Sequence, residues 1–350
     1  MEGSMKKKKF LIIFLVIIGV VSLWGWKKGA TQRKIFRLKE ILEEANALFE
    51  KSQWEESLRL FEEFLNNYDI QNPPFPADLY RIYYRIGYCY EEKGDREKAD
   101  KYWDKTSDEY KPVVEFYRGL RLWKDENYLE CREKFLALLD KYPNHPMKEK
   151  VEDTLTQIHD MMLYGDLPFP GSIEYEVKPG DSLYRIAKKF STTIDLLMRK
   201  NHLSTAFLKP GMKLMVIPLK DFSVLVDLDH NLLYLRFKGK FFKKYPIASG
   251  RDNLTPTGKF SVVSKLKNPV WYVKGRKPIP PGSPENILGS RWIGIDEKRG
   301  IGIHEAVNPQ DIGKYVSNGC IRMLKRDVEE LYDLVIKGTP VEIVREGSQI

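Results

Sequence analysis

The segment from position 317 to 322 reads Ser317-Asn318-Gly319-Cys320-Ile321-Arg322, and twelve residues separate it from His304 upstream. A thiol becomes a good nucleophile as a thiolate, and a nearby imidazole can take its proton. Glycine in a tight turn lets backbone N–H groups approach a ligand closely. Cysteine is more often a buried packing residue, but Ser, Asn and Gly are poor neighbours for a core. The pattern therefore predicts acyl transfer through Cys320, with His304 as its base.

Several stretches around this turn resemble the signature of the L,D-transpeptidase catalytic domain. They are Ile-Gly-Ile-His at 301–304, the run 312–323 that contains the cysteine, and Thr-Pro-Thr-Gly at 255–258. The likeness extends to residues 226–235, 280–284 and 288–292, and it covers roughly residues 221–346. The resemblance implies a mainly β domain that forms 3→3 cross-links between peptidoglycan stem peptides.

The resemblance also implies roles for individual residues. Cys320 attacks the carbonyl between the third and fourth stem residues and forms a thioester, while His304 takes the thiol proton. An amine of a neighbouring stem then accepts the acyl group. The backbone carbonyl of Glu305 orients the His304 ring. Backbone N–H groups of Asn318, Gly319 and Cys320 stabilise the oxyanion.

Other residues of the predicted site have supporting roles. Arg322 braces the loop or meets a stem carboxylate, and Ser317 shapes the turn. Trp271, Tyr272 and Trp292 either line the cleft or pack in the core, since aromatic residues of β domains do both. The cysteine and histidine lack the further ligands that a zinc site needs, so neither a metal nor a cofactor is expected.

Two residues depart from the family pattern. Glu305 stands where Gly or Ser is usual, and Asn318 stands where many members have a second His. Asn tolerates left-handed backbone, so Asn318 fits a structural role as well as a functional one. Alternatives therefore stay open. The thioester could go to water, as in an L,D-carboxypeptidase, or to a wall-linked protein, and the fold could be vestigial in a non-enzymatic wall-binding scaffold.

The N-terminal segment, residues 1–30, predicts a membrane anchor. Residues 10–26 form an uncharged, mostly aliphatic run of 17 after four lysines at 6–9, with no small-residue cleavage site. Such a run is long enough to span a bilayer and resembles an uncleaved anchor, with the rest of the chain on the cell-wall side. The formal net charge of +9 suits stem carboxylates or simple solubility, and no nucleic-acid motif is present.

Residues 35–165 predict an all-α region, because apolar residues recur at helical spacing without strand alternation. Ser57, Ala99 and Cys131 are 42 and 32 residues apart, each with aromatic or leucine residues at similar offsets. This spacing resembles three degenerate tetratricopeptide repeats with a closing helix near 147–164, or else a plain bundle. The repeats would bind a protein partner or act as a spacer. Cys89 and Cys131 read as core residues, and the sequence leaves a disulfide between them open.

Residues 174–218, after a Pro/Gly linker, resemble a LysM module with a βααβ order. Tyr175 and Val177 alternate as a strand, Asp181 or Ser182 caps the first helix, and residues 214–216 form the second strand. The resemblance implies binding of peptidoglycan glycan strands at two junctions. One is lined by Gly180, Asp181, Ser182 and Leu183, and the other by Lys209, Pro210 and Gly211.

The catalytic segment shows short alternating runs broken by Gly, Asp or Pro. They predict strands at 222–228, 232–237, 240–246 and 260–266. An apolar stripe at helical spacing predicts one short helix over 328–336. The expected fold is therefore multidomain, with an anchor, helical repeats, a small α+β module and a mainly β catalytic domain.

Overall fold

A computed structural model describes residues 28–273 and 275–345 of the chain. The anchor predicted at 10–26 lies outside the described residues. No helix within the described ranges combines the length and apolar character needed to span a bilayer. The chain divides into two compact units, with the boundary between Tyr117 and Arg118.

The N-terminal part of the described chain is helical. Its elements are α1 (28–50), α2 (Trp54–Asn67), α3 (Leu79–Glu92), α4 (Arg96–Trp103), α5 (Lys111–Lys124), α6 (Tyr128–Lys141) and α7 (Lys148–Tyr164). Aspartate side chains begin α3 and α4, where Asp78 and Asp95 accept backbone N–H groups of the first turn. The first six helices follow the predicted order of three helix pairs, and α7 lies where a closing helix is expected.

Close packing within these helix pairs depends on glycine. A Cβ at Gly87 would lie 2.4 Å from the Trp103 ring, and one at Gly119 would lie 2.0 Å from the Phe135 ring. Both distances are shorter than atoms can approach, so each aromatic ring occupies the space that the missing side chain leaves. Cys89 and Cys131 are buried and free, so the disulfide left open by the sequence is not formed. Burial raises the pKa of each thiol to about 12.

The second unit contains the small α+β module. It runs through β1 (Ile173–Glu176), α8 (Leu183–Lys189), α9 (Ile194–Lys200) and β2 (Lys213–Val216), and β1 pairs with β2 in antiparallel register. Ser182 caps α8 by accepting the Arg185 N–H at 3.3 Å, and Thr193 caps α9 by accepting the Leu196 N–H at 3.2 Å. The observed order is the βααβ order that the sequence predicts.

The catalytic segment forms one mixed sheet. Its strands are β3 (Phe222–Asp227), β4 (Leu232–Phe237), β5 (Lys240–Gly250), β6 (Gly258–Ser261), β7 (Ser264–Lys267), β8 (Arg291–Asp296), β9 (Ile301–Glu305), β10 (Tyr315–Ser317), β11 (Ile321–Met323) and β12 (Pro340–Val344). The order across the sheet is β6-β12-β3-β4-β5-β11-β9-β8-β7, and β10 pairs with β5. The helix α10 (Lys325–Leu334) begins three residues before the predicted helix.

The prediction of a single strand over 260–266 is wrong. The stretch contains β6 and β7, which stand at opposite ends of the strand order. The reason is a change of hydrogen-bond partner within two residues. The Val262 N–H donates to Thr339, beside β12, whereas the Val263 N–H donates to Gly294 of β8. Side-chain alternation continues through this point, so the pattern alone does not reveal the break.

Candidate active site

The predicted base lies on one strand, and the predicted nucleophile lies just before the parallel strand beside it. His304 is near the end of β9, Cys320 directly precedes β11, and the register pairs His304 with Arg322. Both side chains line one cavity of about 340 Å³. The other lining residues are Leu266, Pro269, Val270, Trp271, Tyr272, Ile287, Leu288, Trp292, Gly300, Ser317, Asn318 and Arg322. Most of the wall is apolar, so the thiol and the imidazole share a cleft that has few polar groups.

His304 is held as a neutral imidazole. Its side chain is buried, and its Nδ1 lies 2.8 Å from the carbonyl oxygen of Glu305. With a proton on Nδ1 donated to this carbonyl, Nε2 is left as an acceptor. Burial lowers the pKa of His304 to about 4, and the positive charge of Arg322 acts in the same direction. Trp292 stacks beside the ring with centroids 6.1 Å apart. The imidazole is thus oriented and unprotonated at neutral pH.

Cys320 is a neutral thiol in the resting site. Burial raises the pKa of the thiol above its ordinary value, although a backbone hydrogen bond from Gly302 and the charge of Arg322 oppose the rise. Its Sγ lies 3.6 Å from the carbonyl oxygen of Gly300, a weak thiol hydrogen bond. A raised thiol pKa and a lowered imidazole pKa disfavour a thiolate–imidazolium pair at rest. The arrangement suits proton transfer to His304 as attack begins.

The turn before Cys320 is tied by Ser317. The buried Ser317 Oγ donates to the Cys320 carbonyl at 2.5 Å and accepts the Gly319 N–H at 3.1 Å. Gly319 has φ of +118°, and a Cβ there would lie 2.8 Å from the side chain of Ile301. Only glycine fits these two constraints.

The structure changes one part of the predicted oxyanion hole. The Gly319 N–H donates to Ser317 Oγ, so it is not free to bind the oxyanion as the sequence predicts. Asn318 and Cys320 both line the cavity, so their amides stay the predicted donors to a developing negative charge.

Thr255 supports the turn from beneath, a role that its sequence context did not predict. Its Oγ1 accepts the Gly250 N–H at 2.7 Å and donates to the Gly319 carbonyl at 3.0 Å. Thr255 is 2% exposed. The only sequence signal was the Thr-Pro-Thr-Gly motif, which indicates a turn but not its partner 64 residues away.

Two arginines flank the cysteine turn in different ways. The Arg322 Nη1 donates to Asp311 Oδ2 at 3.1 Å, which ties β11 to the preceding loop as the bracing role predicts. The Arg251 Nη2 donates to Asn318 Oδ1 at 3.0 Å. Asn318 thus has a side-chain partner that the sequence did not indicate.

A long loop, described over residues 268–273 and 275–290, lines one side of the cavity. It carries Trp271 and Tyr272, and backbone hydrogen bonds join Trp271 with Ile279 in both directions. Asn286 binds the loop together, because its Nδ2 lies within 3.2 Å of the carbonyl oxygens of Pro269, Ile279 and Pro280. Trp271 and Trp292 line the cavity, as does Tyr272, which is 75% exposed.

The carboxylate of Glu305 closes the same loop. Its Oε2 accepts the Ser290 N–H at 2.7 Å, and Gly289 has φ of +65° beside it. A Cβ at Gly289 would lie 2.4 Å from the Glu305 side chain. Glu305, which stands where Gly or Ser is usual, therefore adds a side-chain contact with Ser290. Its backbone carbonyl still contacts His304 Nδ1.

The predicted glycan-binding residues form one group away from this cavity. The Gly211 N–H donates to the Val177 carbonyl at 2.8 Å, so the segments 180–183 and 209–211 meet at one end of the β1–β2 pair. Antiparallel pairing of β1 with β2 therefore places the two predicted junctions next to each other. Leu183 is 3% exposed, so its side chain belongs to the module's core.

Within that group, the polar residues hold the loop. Asp181 accepts the Tyr175 hydroxyl at 2.7 Å and the Lys178 N–H at 2.8 Å, and Ser182 caps α8. Gly180 has a positive φ, which a tight turn needs, and so has Gly211. Lys209 and Pro210 are exposed beside them. Within residues 28–273 and 275–345, no three His, Cys, Asp or Glu side chains cluster as a metal site.

Comparison with known proteins identifies three segments. Residues 221–343 match the YkuD family, described as the L,D-transpeptidase catalytic domain, residues 175–216 match the LysM domain, and residues 82–111 match a tetratricopeptide repeat. The chain is 35% identical over 179 residues to the putative L,D-transpeptidase YkuD of Bacillus subtilis, covering 49% of this chain and 99% of that one. It is 42% identical over 129 residues to the putative L,D-transpeptidase YqjB of the same organism, covering 35% and 72%.

Solved structures give weaker likenesses. The catalytic domain of the E. faecium L,D-transpeptidase is 28% identical, with 36% of this chain and 98% of that one covered and a TM-score of 0.28. An L,D-transpeptidase from Mycobacterium smegmatis is 24% identical, with 38% and 63% covered and a TM-score of 0.31.

Proposed function

Because the chain belongs to the L,D-transpeptidase family, we propose that it forms 3→3 cross-links between peptidoglycan stem peptides through a thioester on Cys320. One observation carries the proposal. Cys320 and His304 line the same cavity, and the Glu305 carbonyl oxygen, 2.8 Å from Nδ1, orients the His304 ring. A neutral base beside a neutral thiol is the starting state that acyl transfer by proton abstraction needs.

In the first half-reaction, His304 Nε2 takes the Sγ proton as Cys320 attacks the carbonyl carbon of the third stem residue. The carbon–sulfur bond forms, and negative charge develops on the carbonyl oxygen. The amides of Asn318 and Cys320 would bind this oxygen, each donor being worth about 3 kcal/mol. The imidazolium then protonates the nitrogen of the fourth residue, the carbon–nitrogen bond breaks, and the thioester remains.

In the second half-reaction, an amine of a neighbouring stem attacks the thioester. His304 takes a proton from this amine, the carbon–sulfur bond breaks, and the proton returns to Sγ, so the enzyme is regenerated. The apolar wall around Trp271 and Trp292 supports transfer to an amine over transfer to water, since it limits hydration of the cleft.

The other segments support action at the cell wall. A LysM domain over 175–216 supports binding of glycan strands near the stem peptides. We propose that residues 10–26 anchor the chain in the cell membrane with the catalytic domain outside, on the strength of their uncharged run after four lysines. Protease added to intact spheroplasts is expected to cleave the catalytic domain, and full protection would contradict this orientation.

Muropeptide analysis tests the reaction directly. The purified protein is incubated with a disaccharide-tetrapeptide beside the Cys320→Ala variant, and products are separated and identified by mass spectrometry. A dimer linked through the third residues is expected from the wild type only. Release of D-alanine without dimer would indicate hydrolysis. Failure of Cys320 to form an adduct with a carbapenem, on protein that still binds glycan, would indicate the scaffold alternative.

A further inference from the structure

We propose that Arg251, oriented by Asn318, recognises the free α-carboxylate of the residue that leaves the donor stem peptide. This inference rests on the proposed transpeptidase function and names a substrate group that the reaction must select. Its origin is the contact between Arg251 Nη2 and Asn318 Oδ1, 3.0 Å long, at a position where the sequence departs from the family pattern.

Asn318 connects this arginine with the reacting atoms. It precedes Cys320 by two residues, lines the cavity, and is exposed at its mouth. Its amide oxygen accepts one guanidinium N–H, so the other donors of Arg251 stay available to a ligand. Arg251 is exposed, and it forms no ion pair with an Asp or Glu in the described parts of the chain. Arg322, in contrast, already donates to Asp311.

The loop that carries Arg251 is fixed to the catalytic turn. The Gly250 N–H is bound by Thr255, whose hydroxyl also reaches the Gly319 carbonyl. A Cβ at Gly250 would lie 2.5 Å from the Thr255 nitrogen, so the loop closes tightly. Asp252 and the residue after it have φ of 49° and 59°, the left-handed turn that bends the chain back. The backbone before Arg251 is thus fixed by Thr255, and its guanidinium is bound by Asn318.

The chemistry of the donor supplies a partner for this charge. The reaction removes the C-terminal residue of the donor. The carboxylate carbon of this residue lies only two bonds from the nitrogen of the bond that breaks. A cation near the nucleophile can therefore distinguish a chain end from a longer or amidated peptide. A guanidinium binds a carboxylate through two parallel N–H groups, which fixes its direction as well as its charge. Asn318 is neutral, so it holds Arg251 without cancelling the positive charge. An aspartate at this position would cancel that charge.

The test compares two donors on the full-length protein. One is a stem tetrapeptide with a free C-terminal carboxylate, and the other is the same peptide ending in a carboxamide. For the wild type, kcat/KM is expected to favour the acid by about tenfold to a hundredfold, the range of a charge-assisted hydrogen bond. The R251Q variant should bring this ratio near one. The R251K variant should keep part of the preference, because lysine keeps the positive charge but lacks the two parallel N–H donors.

Two further measurements separate recognition from structural damage. The ratio of the two donors cancels any general loss of activity, and the K337Q variant removes a positive charge from an exposed turn of the same domain without changing the ratio. Added salt, about 0.5 M, should reduce the preference of the wild type, since the ion pair is exposed to solvent. N318D should lower the ratio by pairing Arg251 internally.

The outcomes divide cleanly between the two proposals. Equal use of both donors by the wild type, or an undiminished preference in R251Q, overturns the role of Arg251 and leaves transpeptidation standing. A wild type that acylates Cys320 with neither donor overturns the proposed function and this inference together.

Discussion

Thr255→Val should uncouple the cysteine turn from the strand beneath it. The substitution replaces the hydroxyl by a methyl group of similar size, so the packing volume changes little. It removes the acceptor of the Gly250 N–H and the donor to the Gly319 carbonyl, two contacts at a side chain that is 2% exposed. Both backbone groups are then left buried without a partner, which is the costly way to lose a hydrogen bond.

The size of the effect follows from those two groups. Each buried polar group without a partner costs about 1–3 kcal/mol, and partial relaxation favours the lower part of the summed range, about 3 kcal/mol. A domain of this size loses about 2–4 °C in Tm for each kcal/mol, so Tm should fall by about 6–12 °C. The turn that carries Cys320 would also shift, and a displacement of about 1 Å can lower the acylation rate by about a hundredfold.

Acylation of Cys320 by a carbapenem, followed by mass spectrometry of the intact protein, measures the rate. Thermal unfolding followed by near-ultraviolet circular dichroism measures Tm. Thr255→Ser is the matched control, because it keeps the hydroxyl and removes one methyl group, and it should stay within about 1 kcal/mol of the wild type. If Thr255→Val acylated and melted like the wild type, the hydroxyl would have no supporting role and the reasoning would be refuted.

Three further outcomes are expected. Iodoacetamide should alkylate Cys320 slowly at pH 7 and faster as pH rises beyond the ordinary thiol range, because burial raises the pKa of the thiol; a rate that is constant from about pH 5 to 8 would instead indicate a preformed thiolate. The rate of acyl transfer should hold down to about pH 5 and fall near pH 4, because the base must be unprotonated and the pKa of His304 is lowered to about 4; a pH–rate profile with an acid limb near 6.5 would contradict this. Asn286→Ala should speed hydrogen exchange over residues 268–273 and 275–290 and raise KM about tenfold, because three carbonyl oxygens lose the side-chain amide that they share; unchanged exchange in that loop would show that other contacts hold it.

The place of Cys320 and His304 in one cavity was predictable because the two residues belong to a motif with a characteristic spacing. The strands that bring them together were not. β9 is buried on both faces over Ile301 to His304, and β11 has only three residues. β9 lacks the alternation on which a strand prediction depends, since a strand buried on both sides reads as a continuous apolar run. The alternation of β11 covers too few residues to predict a strand.

The supporting residues were missed for a different reason. Thr255 contacts a residue 64 positions away, and Arg251 contacts one 67 positions away. Sequence patterns report neighbours along the chain, and nothing local to either residue indicates its partner. The same limit explains why Gly319 was predicted as an oxyanion donor. The sequence shows three amides at the turn, and only the folded geometry shows that the Gly319 N–H donates to Ser317.

Desolvation at both His304 and the half-buried Cys320 favours proton transfer during attack over a thiolate at rest. An exposed histidine of ordinary pKa would be partly protonated at neutral pH, and a thiol beside it would lose its proton at rest. Here desolvation disfavours both charged forms, raising the pKa of Cys320 and lowering that of His304. A resting thiolate would also be open to oxidation, which follows thiolate character. In the proposed mechanism, reactivity is therefore reserved for the bound substrate, whose carbonyl carbon accepts the sulfur electrons while Nε2 accepts the proton. Under this scheme the amides of the turn and the Thr255 contact beneath them govern the rate, because they set where the oxyanion forms.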